Sequence, residues 1–341
     1  MDDTLCVIYR TPARAEKKIL NLDSFQYYPT QSRDSVIKNS KYQTDYITFK
    51  SGPVKINEFS LDKYEKDSAL VAKTIEFKDP YITVYRDKLP PFYSGNKRAL
   101  PVGMIRKIPF PVSVRNLKLE DGTILYTEKH PKTRAEGTLS LNHLNLLLRN
   151  IKNQNITATD SLELKADTYL MDSALIHLTV NESYADSLNG FLMTMRMTPT
   201  TLSFLNPVLA PLSNVVITSG TIDSFQLRAV GKDDLAFGEM KMYYHNLHIK
   251  LIKDGDVNKT TFLTRVATTL LNTLLVHKDN NGKRTGVVYF ERLKDRSFFN
   301  YIVKIAFSGM ATSIGVKKNS KYMKQYKRQL KQQNLPPIEF N

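Results

Sequence analysis

The sequence predicts a mainly β protein: a strongly curved antiparallel sheet, built as a meander of hairpins with bulges. A few C-terminal amphipathic helices follow it. Three observations lead there. Apolar residues alternate with period two over most of the chain, the alternation slips by one residue at several points, and a helical period surfaces only near the C-terminus. A slipped strand would turn its apolar face outward unless it bulges at the slip, and bulges bend and twist a sheet.

Residues 53–61 set Val54 and Ile56 on one face, then shift to Phe59 and Leu61. Residues 69–86 carry Ile75 and Phe77 and, after Pro80, Ile82 and Val84. Residues 110–126 group Phe110, Val112 and Val114, then Leu117 and Leu119, and reach Asp121-Gly122. That dipeptide suits a type I′ turn, whose central residues both need φ > 0, so Ile124 and Tyr126 are expected on a return strand. Residues 138–148 show Leu139 and Leu141, a slip, then Leu144, Leu146 and Leu148. Leu162 and Leu164, then Ile176, Leu178 and Val180, continue the pattern through residues 161–180. Phe191, Met193, Met195 and Met197 share one face of the next segment. Residues 214–230 suggest a hairpin at Ser219-Gly220 with Phe225, Leu227 and Ala229 on its second arm. In LAFGEMKMYYHNLHIKLI (235–252), Met240, Met242 and Tyr244 alternate, then Leu247, Ile249 and Leu251 after a slip. Bulges are expected at Arg115-Asn116, Asn142-His143 and His245-Asn246. Residues 53–88, 109–151 and 212–252 form a loose strand–turn–strand repeat.

Helices are few. Residues 200–212 contain Pro207 and Pro211 and hold one short helix at most. Thr261–His277 has the i, i+4 apolar stripe of an amphipathic helix, and Ser297–Phe307 makes a second with Ser297 as N-cap. After Val316 the chain is basic and polar, and Pro336-Pro337 favours an irregular end. The organisation expected is an N-terminal segment (1–50), either a piece of a longer β-repeat region or poorly ordered, a curved sheet domain (51–256), a helical region with an interspersed strand (257–316) and a basic tail (317–341).

The net charge of +16 favours acidic partners, whether nucleic acid, anionic headgroups or acidic glycans. One cysteine, Cys6, excludes an intrachain disulfide and an all-cysteine metal site. MDDTLCVIYR has neither the basic nor the apolar part of a signal peptide. Phe298–Val316 approaches spanning length but carries Lys304 near its middle. Six scattered histidines include His245 and His248, which face opposite ways on a regular strand. DGDVNK (254–259) lacks the glycine and the final carboxylate of a calcium loop. No nucleophile elbow, phosphate loop or dinucleotide fingerprint is present. No catalytic residue, metal ligand or cofactor is expected.

TIEFKDPYITVYRDK (74–88), IPFPVSVRNLKLEDGTILYTEK (108–129), the Leu-Asn-Pro, Gly-hairpin and Gly-x-Met-x-Met-x-Tyr elements of residues 203–251, and ERLKDRSFFNYIVKIAFSGM (291–310) carry a family likeness. Over roughly residues 50–316 the chain resembles the AsmA-like family of bacterial envelope proteins, in the form common in Bacteroidota. The resemblance implies an elongated, curved antiparallel sheet shaped as an open groove or gutter, whose apolar face shelters lipid acyl chains between membranes, and no catalytic residues. None of these residues is expected to form the family's usual N-terminal membrane anchor. The expected setting is the cell envelope, periplasmic and membrane-associated, in phospholipid transport or outer-membrane homeostasis.

On that reading the lipid-groove candidates are Phe191, Met193, Met195, Met197, Phe225, Leu227, Met240, Met242, Tyr244, Leu247, Ile249 and Leu251. Unbranched methionines adapt to chains of varied shape, although the same alternation also marks ordinary core. The membrane-docking candidates are Phe298, Phe299 and Ile302 with Lys317, Lys318, Lys321, Lys324, Lys327, Arg328 and Lys331; a solvated tail is the alternative. Expected partners are phospholipid or another lipid, an anionic membrane surface and other envelope proteins. A structural all-β interaction module is the second reading. A basic nucleic-acid binder, with Tyr322 and Tyr326 among the lysines, is the third and least favoured.

Overall fold

The long strands of this chain bulge near the middle, and the bulges of paired strands align. The computed structural model describes residues 6–10, 14–16, 18–93, 95, 97–185, 190–254, 256, 258–259, 261–272 and 276–336. In chain order the first strands are β1 (Cys6–Arg10), β2 (Arg14–Glu16), β3 (Ile19–Leu22), β4 (Phe25–Pro29), β5 (Asp45–Ser51), β6 (Val54–Asn57), β7 (Leu70–Lys78) and β8 (Tyr81–Asp87). Then come the paired spine strands β9 (Val112–Lys129) and β10 (Glu136–Lys152), followed by β11 (Ser161–Leu170), β12 (Ala174–Ser183), β13 (Phe191–Met197) and β14 (Thr200–Thr201). The last three are β15 (Val215–Gly231), β16 (Leu235–Leu251) and β17 (Gly286–Glu291). Among the described residues these seventeen strands join one curved sheet.

Two branches leave one side of β9. The first runs β9–β7–β6–β3–β2 along its first half, the second β9–β8–β5–β4–β1 along its second half. From the other side the sheet continues β10–β11–β12–β13–β15–β16–β17. The sheet is mixed, which corrects the all-antiparallel expectation: β7 and β8 both pair parallel with β9. A parallel pair needs a crossover of a dozen or more residues, and residues 88–111 supply it.

The two hairpin expectations are also corrected. β9 runs straight through Asp121-Gly122 and β15 through Ser219-Gly220. A type I′ turn needs two residues at φ > 0, but of the first pair only Asp121 (φ 52°) has one. The dipeptide bulges instead, beside Asp79 (φ 47°) between β7 and β8 and His143 (φ 51°) in β10. The His143 ring nitrogen lies 2.7 Å from the Asp121 carboxylate, and Asp79 N–H donates to Glu120 O at 2.9 Å. A β-carbon at Gly122 would lie 2.8 Å from Cγ of Pro80, so glycine permits this close approach. A second crease joins Gly220 (φ 136°) to Asn246 (φ 56°). Bulges therefore occur at Asn142-His143 and His245-Asn246, where the phase slips placed them. At Arg115-Asn116 the register does not shift; pairing lapses at Arg115, opposite Asn150 (φ 61°).

The helices are α1 (Arg33–Asn39), α2 (Leu61–Asp67), α3 (Pro101–Arg106), α4 (Asn206–Ser213), α5 (Phe262–Leu270), α6 (Phe298–Ser313) and α7 (Asn319–Gln332), and a 3-10 turn at Leu202–Leu205 leads into α4. Ser297 caps α6, its side chain accepting from Asn300 N–H. α5 is shorter than the expected Thr261–His277; residues 273–275 of that stretch lie outside the described residues, as does Pro337. Residues 19–50 are continuous with the sheet through β3, β4 and β5. The basic tail is largely the helix α7, packed on the sheet by Tyr326 and Leu330. Among the described residues no helix is long and apolar enough to cross a membrane.

Candidate functional site

Residues paired directly across a sheet share a face, so the register lays out, row by row, the face on which α4 and α6 pack. One row runs Ile56, Ile75, Leu117, Leu148, Leu164, Val180, Met193, Ala229. The next runs Val54, Phe77, Leu119, Leu146, Ala166, Leu178, Met195, Leu227, Met240. Beyond the crease a third runs Phe49, Ile82, Ile124, Leu141. All three are apolar throughout, yet they meet different covers.

Over β13, β15 and β16 the chain roofs its own sheet. Phe191, Met193, Met195, Met197, Phe225, Leu227, Met240, Met242, Tyr244, Leu247 and Ile249 are buried, and Leu251 is half-buried. Phe191 meets the Phe298 and Tyr301 rings of α6 with centroids 5.2 and 5.7 Å apart. A β-carbon at Gly309 would lie 2.8 Å from Cε of Met240, so α6 rests almost directly on β16. The Tyr244 hydroxyl donates to His277 O at 3.0 Å. The groove location read from the sequence is therefore corrected: these side chains are core beneath α4 and α6. The methionine stripe carried no mark to separate a protein roof from a guest.

The same rows are less covered on β7 to β11. Phe77, Leu117, Leu119, Leu146, Leu148 and Leu164 are half-buried although they face inward, as are Phe49, Ile82 and Ile124. Phe25, Phe49 and Phe77 form an edge-to-face trio with centroids 5.5 to 6.0 Å apart. Phe77, Leu117 and Leu148 pack at the margin of the cluster under α3, which holds Val102 and Ile105, and Leu164 at the margin of the core under α6. From Leu117 to Tyr126 this trough spans roughly 30 Å at about 3.3 Å per residue. The sequence placed its residues on apolar faces but did not select them.

At its far end the trough runs into a cleft of about 240 Å³ between β9, β10, α4 and α6. Leu139, Leu209, Leu212, Phe299, Val303 and Phe307 supply apolar walls. The polar floor is Glu128, which pairs with Lys88 and accepts from the Tyr126 hydroxyl at 2.5 Å. Burial, reinforced by the Glu128 charge, pushes the Tyr126 hydroxyl well above the usual range. Lys304 of α6 also lines the cleft, and burial pulls its ammonium below the usual lysine value, against the opposing pull of Glu128.

Beside the cleft, a polar clasp joins the early strands to the β17–α6 connection. Asp45 accepts from Arg86 at 2.6 Å and pairs with Arg98 at 3.3 Å. Arg98 N–H donates to Lys294 O at 2.7 Å, and Arg292 donates to Arg98 O at 2.6 Å. Asp233 receives Arg292 at 2.6 Å and Lys294 at 2.7 Å. Arg296 donates to Gln43 at 3.0 Å and stacks 4.9 Å over the Phe92 ring.

The membrane-docking candidates separate onto two faces. Phe298 packs on Phe191, Phe299 on Tyr126 at 5.9 Å, and Ile302 is buried, so these α6 residues serve the core on this face. α7 lies on the opposite face, where Tyr326 meets Phe237 at 5.9 Å and Tyr322 meets Tyr289 at 6.0 Å. Lys318, Lys321, Lys324, Lys327, Arg328 and Lys331 are exposed, and Lys317 is half-buried with its ammonium 5.2 Å over Tyr322. A joint patch of α6 aromatics and tail cations is thus corrected to a purely cationic outer helix.

His245 pairs with Asp223 at 3.0 Å and His248 lies 3.0 Å from the Ser219 hydroxyl. Among the described residues no three His, Cys, Asp or Glu side chains gather to hold a metal ion. No protein-family model matches the chain. No curated protein matches it either.

Proposed function

We propose that the protein is a non-enzymatic, AsmA-like envelope protein that shelters lipid acyl chains on the apolar trough of its curved sheet, in phospholipid transport or outer-membrane homeostasis. The observation that carries the reading is the inward-facing set Phe77, Leu117, Leu119, Leu146 and Leu148, half-buried where equivalent positions further along the same rows are fully roofed. A hydrocarbon chain gains about 0.8 kcal/mol per buried CH₂, so even partial shelter holds it by several kcal/mol. The exposed cations of α7 would draw that outer face toward an anionic leaflet, each contributing about 1 kcal/mol within a Debye length.

The test is the lipid content of the purified protein, by extraction and mass spectrometry, together with transfer of labelled phospholipid between vesicles. Wild type is expected to carry lipid and to transfer it. Leu119→Arg, which puts a cation into the trough, is expected to fold and to lose most of both. Lipid-free wild type that transfers nothing would overturn the reading. The burial of eleven of the original groove candidates favours a second reading, a structural module whose sheet is simply its own core. That reading predicts no lipid in either protein.

A further inference from the structure

We propose that the cleft at the end of the trough binds the acidic head of an anionic amphiphile, a carboxylate or phosphate, with Lys304 as its counter-charge and the hydrocarbon chain lying along β9. The proposal rests on the lipid reading above and adds to it a ligand class and a place for the head.

Lys304 sits mid-way along α6, where a charge against an apolar sheet has to be explained. Of the residues that line the cleft with it, Val303, Phe307 and Leu209 are hydrocarbon, and Asn300 and Ser213 are polar but uncharged. Among the described residues it makes no hydrogen bond or ion pair. The one carboxylate at hand, Glu128, is already held by Lys88 and by the Tyr126 hydroxyl. Lys88, Lys304 and Glu128 therefore leave one positive charge uncompensated in a partly desolvated place. A buried charge costs free energy until it is paired, and one monoanion would pair it. The lowered Lys304 pKa has the same origin, burial ahead of every other cause.

Size and continuity limit the ligand. About 240 Å³ falls below the usual volume of a small-molecule pocket, so the cleft takes a head and the start of one chain. Tyr126 and Leu139 form its wall, and the next row back along β9 and β10 is Ile124 and Leu141, which belong to the trough. A chain whose head meets Lys304 thus continues over Ile124 towards Leu119 without leaving apolar surface.

The experiment measures binding of a fluorescent fatty acid, cis-parinarate, and of its methyl ester to the full chain, with lysophosphatidate and inorganic phosphate as competitors. Wild type should bind the acid more tightly than the ester. Lys304→Met should weaken the acid roughly tenfold to a hundredfold, the range of a lost charged hydrogen bond, and leave the ester unchanged. Lys304→Arg should keep the preference. Displacement by lysophosphatidate but not by phosphate would assign the head as part of a lipid; displacement by phosphate alone would show a simple anion site and overturn the amphiphile. Lys304→Met should also raise the melting temperature of the ligand-free protein, because it removes an unpaired charge. Equal binding of acid and ester by wild type, or equal binding of the acid by wild type and Lys304→Met, would sink the head site and leave the trough reading standing. Failure of wild type to bind acid and ester alike would sink both.

Discussion

Asp45→Ala is expected to be among the most destabilising substitutions in this protein, at about 3–5 kcal/mol, the usual range when one partner of a buried ion pair is removed. Arg86 is the reason. Its side chain is 4% exposed and that of Asp45 6%, with 2.6 Å between the charged atoms. Deleting the carboxylate strands the guanidinium without its partner and frees Arg98 from the early strands. The change should lower the denaturant midpoint with little change in slope. Asp45→Asn, which keeps an acceptor, should lose less. Replacing Asp45 and Arg86 together by leucine should recover much of the loss, because both charges then leave the interior. A loss below about 1 kcal/mol for Asp45→Ala would place the clasp with ordinary surface pairs and remove it as the tie between β5 and the β17–α6 connection.

Met193→Ala and Leu117→Ala should differ sharply although both residues stand on one row of the same face. Met193 is 0% exposed under the chain's own roof, so truncation leaves a cavity and should cost about 2–5 kcal/mol. Leu117 is half-buried on the trough, where solvent already reaches part of the side chain. Its truncation loses less transfer energy and opens no closed cavity, so the loss should be less than half as large. The comparison is made by denaturant unfolding of the two variants in lipid-free protein. Equal losses would mean that the trough is covered as fully as the core, and the contrast between the two ends of the sheet would disappear.

Local chemistry made parts of this architecture readable. Ser297 caps α6 because a serine side chain satisfies an orphan N–H at a helix start. The phase slips at Asn142-His143 and His245-Asn246 fall on real bulges, since alternation cannot cross a face without one. Other features depended on distant partners. Asp121-Gly122 and Ser219-Gly220 suit a turn and a bulge equally, and only the aligned creases on neighbouring strands decide between them. The parallel pairing of β7 and β8 with β9 follows from where residues 88–111 lead, which no local pattern reports. α7 escaped notice because its apolar positions, Tyr322, Met323, Tyr326 and Leu330, are thinly spread among cations.

The site divides in the same way. Alternation correctly gave one continuous apolar face. It could not tell which stretch of that face a later helix would cover. Met240 and Leu119 look alike in sequence, and they differ only because Gly309 lets α6 settle on the first of them. Lys304 was visible as a charge inside an apolar stretch, but its neighbours Lys88, Glu128 and Tyr126 come from strands far away in the chain.

The most direct measurement places a photo-crosslinking side chain at Leu119 or Ile124, inside the trough, and at Lys118, which alternation points to the outer face, and exposes each protein to labelled phospholipid vesicles. An open apolar trough predicts lipid adducts at 119 and 124 and few or none at 118. No adduct at either inward position, or equal labelling at all three, would contradict it.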